Sequence, residues 1–128
     1  MKEEVRTPGA PAAIGPYSQG VAASGARLVF TAGQIGLDPA SGALVSGGAA
    51  AECRRALENV RAILEAAGTG PSGVVKTTLF LIDLREFQEV TAVYETFFER
   101  PYPARSTIEV GALPRGARVE IEAVAVTG

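Results

Sequence analysis

Apolar and polar positions recur along this chain with two different periods, and the changes of period mark its elements. After a polar start, residues 8–16 are punctuated by Pro8, Pro11 and Pro16, which fix the backbone and forbid a helix. Residues 19–24 and 27–34 read as two short strands joined at Gly25, a hairpin by spacing. Asp38, Pro39, Ala40, Ser41 and Gly42 compose a turn. Residues 49–67 switch to helical spacing, with Cys53, Leu57, Val60, Leu64 and Ala67 on one apolar stripe and Gly68 as the stop. On its polar side Arg54/Glu58 and Arg61/Glu65 are spaced to pair at i, i+4. Residues 74–82 form a strand whose second half is apolar on both faces, as in a central strand. Asp83 with Glu86 resembles a capping box that opens a helix over 84–99, burying Phe87, Val90, Tyr94 and Phe97 until Pro101 and Pro103 prevent its continuation. Residues 106–110 and 119–126 close the chain as two strands separated by a loop containing Pro114 and Gly116.

The order ββ-α-β-α-ββ predicts an α+β layer with both helices on one sheet face. The other face cannot be left wet, because residues 74–82 and 119–126 place apolar side chains on both sides and no third helix remains. A second copy of the chain is the expected cover.

Composition narrows the chemistry. At 128 residues the chain is expected to form one domain, 1–128, and its 47% hydrophobic and 20% charged content is that of a globular protein. A net charge of −2 with scattered basic residues gives no general attraction to phosphate backbones, so no nucleic-acid partner is expected. With a single cysteine, Cys53, and no histidine, an intrachain disulfide and the usual zinc sets are excluded, and neither metal nor organic cofactor is expected. Cys53 falls on the buried helix stripe and reads as a small core residue. No apolar run has the length of a secretory signal or a membrane span, so a cytoplasmic protein is the expectation.

Two charged residues in the last strands stand out. Arg105 sits at the mouth of one strand, and Glu120 shares a face with Glu122 on the next while Val119, Ile121, Ala123 and Ala125 share the other. Arg105 has an ordinary reading, a strand-edge cation paired with Glu109 or Glu122, and Glu120 could equally be a member of an interface ion pair. Gly33 either marks a strand break or leaves room for a ligand against bare backbone.

The segment Pro103-Ala104-Arg105-Ser106, with Ile108, Leu113 and then Val119-Glu120-Ile121, resembles the signature of the reactive intermediate deaminase (Rid/RidA) family. So do residues 10–20, the run Thr31-Ala32-Gly33-Gln34, residues 38–42 and residues 94–98, and the likeness covers essentially the whole chain. The resemblance implies a chorismate-mutase-like fold, a homotrimer whose sheets form a central barrel, and ligand pockets between adjacent subunits. It implies hydrolysis of 2-imino acids such as 2-iminopropanoate and 2-iminobutanoate to 2-keto acids and ammonia. By that resemblance Arg105 grips the substrate carboxylate with its planar fork and Glu120 is the acid/base group. Tyr17 lines the pocket, and Gly33, Ala32, Ser106, Thr107 and Thr91 bind substrate. Tyr17 alone also reads as an aromatic that anchors its loop. Ala32 stands where many relatives have serine, Thr91 where they have asparagine and Thr107 where they often have cysteine, departures that bear on substrate preference and rate. A non-catalytic trimer that captures small carboxylates is the alternative reading, and RNA cleavage, attributed to some relatives, is the weaker third.

Overall fold

The computed structural model describes residues 1–127. Its first strand, Lys2–Val5 (β1), is charged rather than patterned and was not predicted. It pairs antiparallel with Gly20–Ala23 (β2) as a separate two-stranded ribbon. The expected hairpin of residues 19–24 with 27–34 therefore does not form. The next strand, Leu28–Phe30 (β3), runs instead along the C-terminal strand Val119–Val126, which is β7 in chain order. The reason sits at Gly25, where a Cβ would lie 2.3 Å from the Thr127 carbonyl oxygen. The missing side chain lets the backbone press onto the C-terminus and not fold back on β2.

The predicted strand 27–34 is also broken. Thr31 donates its N–H to the Ala123 carbonyl (2.9 Å) and accepts the Ala123 N–H at Oγ1 (3.0 Å), so a side chain takes one rung of the ladder. Gln34–Ile35 (β4) then rejoins β7, having used one residue more than its partner strand over the same span.

The first helix, Gly48–Ala66 (α1), is entered through Gly47 and Gly48 and closed by Gly68, all at positive φ. Cys53, Leu57, Val60 and Leu64 are buried as expected, but Ala67 falls past the helix end and is only half-buried, and the predicted charge pairs do not form. Arg55 rather than Arg54 pairs with Glu58 (3.5 Å), and Arg61 lies over the Phe97 ring, 4.5 Å from its centroid. Val74–Leu81 (β5) is an inner strand, antiparallel to β7 on one side and parallel to Ala104–Glu109 (β6) on the other. The crossover between β5 and β6 carries the second helix, Phe87–Phe97 (α2). This helix starts a turn later than predicted, after a 3-10 turn at Leu84–Glu86, because the capping box does not close. Asp83 accepts the Arg85 N–H (2.9 Å), while the Glu86 carboxylate is drawn away to the Arg118 guanidinium (2.6 Å).

The main sheet is thus mixed, with order β3-β7-β5-β6 and β4 beside β3 along β7. Both helices cover one face, burying Leu57, Val60, Leu64, Val90 and Tyr94 against Leu79, Leu81, Val119, Ile121 and Ala123. Each of the Leu, Val and Ile side chains contributes about 1.5–3 kcal/mol on burial. Among the described residues nothing packs over the opposite face. It carries Leu28 and Phe30 at 62% and 68% exposure and Ile108 at 45%.

Candidate active site

Arg105 lies on β6 opposite Thr77 of β5, which is itself opposite Ala123 of β7, so all three side chains project toward the helices. There its guanidinium meets three aromatic rings, 5.2 Å from the centroid of Tyr17, 5.4 Å from Phe87 and 5.2 Å from Tyr94. These are cation–π distances. Phe87 and Tyr94 stand on one face of α2, and the Tyr94 hydroxyl is fixed by Thr77 Oγ1 at 2.8 Å. Burial pushes the Tyr94 phenol up to about 12, with the Thr77 hydroxyl opposing. Burial also holds the Arg105 guanidinium below its ordinary value, yet arginine keeps its charge in proteins. Neither Glu109 nor Glu122 pairs with it; Glu109 accepts the Leu84 N–H instead, at 2.9 Å.

The third ring arrives on the proline-rich loop. Gln19 clamps that loop, its Nε2 donating to the carbonyls of Thr7, Ala10 and Pro11 (3.1, 3.1 and 2.6 Å). Ser18 ties it to the approach of β6, with its N–H on the Pro103 carbonyl (3.1 Å) and its hydroxyl on the Tyr102 carbonyl. Tyr17 is held over Arg105 as a result. It is both the loop's anchor and a pocket wall.

Between the loop, α2 and β6 opens a cleft of about 990 Å³, lined among others by Tyr17, Phe87, Thr91, Arg105 and Thr107. Three buried side-chain polar atoms among the described residues have no hydrogen-bond partner: Arg105 Nη1, Thr91 Oγ1 and Thr107 Oγ1. All three belong to residues of this one cleft. Buried polar groups are nearly always satisfied, and leaving one unpaired costs about 1–3 kcal/mol. Three orphans on one cleft, one of them cationic, suit a compact anion with further polar atoms.

Glu120 is elsewhere. It stands opposite Phe80 of β5 and Ile35 of β4, three residues from Ala123 on β7, so its side chain leaves the sheet on the uncovered face. Arg105 and Glu120 of one chain therefore point away from each other. Gly33 lies against Glu120, where a Cβ would sit 2.3 Å from Oε2. The glycine thus makes room for this carboxylate rather than marking only a strand break. Ala32, next to it, is exposed and is not part of the Arg105 cleft. Ser106 also faces the uncovered side, where the Lys76 ammonium donates to its hydroxyl at 3.0 Å. Of the residues expected to bind substrate, Arg105, Tyr17, Thr91 and Thr107 meet in one cleft, while Gly33, Ala32 and Ser106 do not join them within the chain.

Phe87, read from the sequence as a core residue, and Gln88, Glu95 and Arg100, not named there, also line the cleft. A signal existed for the first, since Phe87, Thr91 and Tyr94 recur at helical spacing on one face. Cys53 is buried, with its thiol pushed up to about 12 by that burial, as suits a core residue. Among the described residues no three His, Cys, Asp or Glu side chains gather to hold a metal ion, and no helix is long and apolar enough to cross a membrane.

The chain is thus an α+β protein with a cationic, aromatic-walled cleft beside its sheet. The family model described as Endoribonuclease L-PSP matches residues 7–127. A mouse protein named 2-iminobutanoate/2-iminopropanoate deaminase is 50% identical over 128 residues, which is 100% of this chain and 93% of that protein. Among solved structures, RidA from an Antarctic Psychrobacter superposes with a TM-score of 0.76 at 40% identity, covering 97% of this chain and 98% of its own. TdcF from E. coli with bound serine gives a TM-score of 0.75 at 40% identity, covering 98% and 99%. The chain belongs to the reactive intermediate deaminase (Rid/RidA) family.

Proposed function

We propose that this protein is a 2-iminoalkanoate deaminase that hydrolyses 2-imino acids such as 2-iminopropanoate and 2-iminobutanoate to 2-keto acids and ammonia, with residues 1–128 acting as one RidA-like domain. The observation that carries this reading is the convergence of Arg105 Nη1, Thr91 Oγ1 and Thr107 Oγ1, buried and unpartnered, on a single cleft. The name of the mouse relative, the name of its 48% identical human counterpart, and the serine held by the E. coli structure support it. Arg105 grips the substrate carboxylate through two parallel charge-assisted bonds, and Tyr17 closes over it. That fixes the imine carbon.

The acid/base group comes from a second copy. Since Glu120 leaves the opposite face of the sheet, a complete site pairs the Arg105 cleft of one chain with Glu120 of its neighbour. The exposed Leu28, Phe30 and Ile108 on the uncovered face favour such a contact, and the assembly proposed is the family's homotrimer with a central barrel of sheets. Glu120 takes one proton from water as the water oxygen bonds to the imine carbon and the C=N electron pair moves to nitrogen, and it passes that proton to the nitrogen. It then takes the proton of the new hydroxyl and delivers it to the same nitrogen, so that the carbon–nitrogen bond breaks as the C=O bond forms and ammonia leaves. Proton transfer by one placed group is worth about 10²–10⁴-fold. Ser106, Ala32 and Gly33 act from Glu120's side of that joint, with Gly33 giving the carboxylate its space.

One observation favours a second reading, capture of small carboxylates without turnover. The cleft of a single chain has its cation and hydroxyls but lacks Glu120. The two are separated by coupling a serine or threonine dehydratase to the purified protein and following keto-acid formation. Acceleration over the spontaneous rate is expected; saturable 2-keto acid binding with no acceleration leaves the binder.

A further inference from the structure

The cleft holds a second guanidinium that the proposed reaction does not use. Arg100 lines its wall alongside Glu95, Gln88 and Tyr102, and among the described residues it has no ion pair and no hydrogen bond. Its one close partner is the Tyr102 ring, 5.4 Å from the guanidinium carbon to the centroid. The two arginines differ in depth. Arg105 has a buried Nη1, whereas Arg100 is exposed on the same cleft's outer wall.

We propose that Arg100 forms a distal anion subsite, so that the cleft accepts dicarboxylic 2-imino acids, with the inner carboxylate on Arg105 and the tail carboxylate on Arg100. This rests on the proposed substrate class and extends it to acidic tails. Glu95 is the one carboxylate on the cleft wall, and it opposes a tail anion without being paired to Arg100. Its effect is a partial cancellation that Glu95→Gln removes. Arginine suits the task because its planar fork takes a carboxylate through two parallel bonds.

The test compares the stable keto-acid products in the full assembled protein by calorimetry: 2-oxopentanedioate against 2-oxopentanoate, equal in chain length and differing at the tail. The dicarboxylate is expected to bind about tenfold more tightly at low salt, an advantage that shrinks as ionic strength rises. Arg100→Gln brings the ratio to about one, Arg100→Lys keeps part of it, and Glu95→Gln enlarges it. Equal binding of the two acids by the wild type overturns the inference while leaving the deaminase reading intact. So does a preference that survives Arg100→Gln, or a variant that weakens both ligands in step. A keto acid with a cationic tail binding best would transfer the outer wall to Glu95 and overturn it too. Failure of both acids to bind overturns the inference together with the substrate class beneath it.

Discussion

The two sides of the β6-β5-β7 sheet differ in what they complete. On the helix side Arg105 is surrounded by Tyr17, Phe87 and Tyr94 of its own chain. On the other side Glu120 has Gly33 shaped around it and Phe80 and Ile108 in register, but nothing packs over that surface. On the proposed mechanism one half of the site is a receptor and the other a reactive group awaiting a neighbouring copy. Binding and chemistry would then be divided between opposite surfaces of a single sheet, and that division can be broken experimentally.

The largest effects come from removing each half. Arg105→Ala is expected to lower kcat/KM by about thirtyfold to several thousandfold, the weight of about 2–5 kcal/mol for one partner of a desolvated charge pair. Glu120→Gln is expected to lower kcat by about 10²–10⁴-fold with keto-acid binding retained. Unfolding and refolding the two inactive variants together is expected to recover about a quarter of wild-type activity, because each site draws its two halves at random from different chains. Zero recovery in that mixture means the two groups act from the same chain.

Alkali is expected to attack the helix side. Tyr94 is held protonated up to about 12 against an ordinary 10.0, and Cys53 up to about 12 against 9.0. The unfolded chain therefore gives up these protons first. Stability from this source is fully present below pH 9, falls as pH rises through 9.0 to 12, and amounts to about 2–3 kcal/mol for Tyr94. Denaturant midpoints of the wild type and of Tyr94→Phe/Thr77→Val, measured from pH 8 to 11, should converge; parallel curves would remove Tyr94 from this account.

On the opposite surface, Gly33→Ala pushes a methyl against the Glu120 carboxylate. It is expected to cost about 1–3 kcal/mol or to displace Glu120, lowering kcat while the keto-acid dissociation constant stays fixed. The smallest effect belongs to Thr107→Val, which removes one orphan hydroxyl of the cleft and is expected to raise KM about fivefold, near 1 kcal/mol. An unchanged KM would leave Thr107 as packing only.

Much of this was legible in the residues. The period of α1, the inner position of β5 and the sharing of a face by Glu120 and Glu122 follow from spacing, and the motif around Arg105 pointed to the cleft. Strand partners were not legible, because pairing depends on which backbones can approach. Gly25 resembled a hairpin turn, yet its missing Cβ serves the C-terminal strand. Lys2–Val5 has no apolar pattern to read, since its strand is held by its partner's backbone more than by a buried face. Glu86 had the spacing of a cap, but Arg118, 32 residues away in sequence, offered its carboxylate a guanidinium instead. The opposite orientation of Arg105 and Glu120 needed the register of three strands together, which no single strand's alternation supplies.

Because those two groups leave the sheet back to back, a solitary polypeptide on the proposed mechanism carries both ingredients yet cannot unite them. On the proposed assembly, freshly synthesised copies are inert until they have accumulated enough to meet. At low expression, output then climbs more steeply than the amount of protein, and dilution alone is enough to switch the enzyme off.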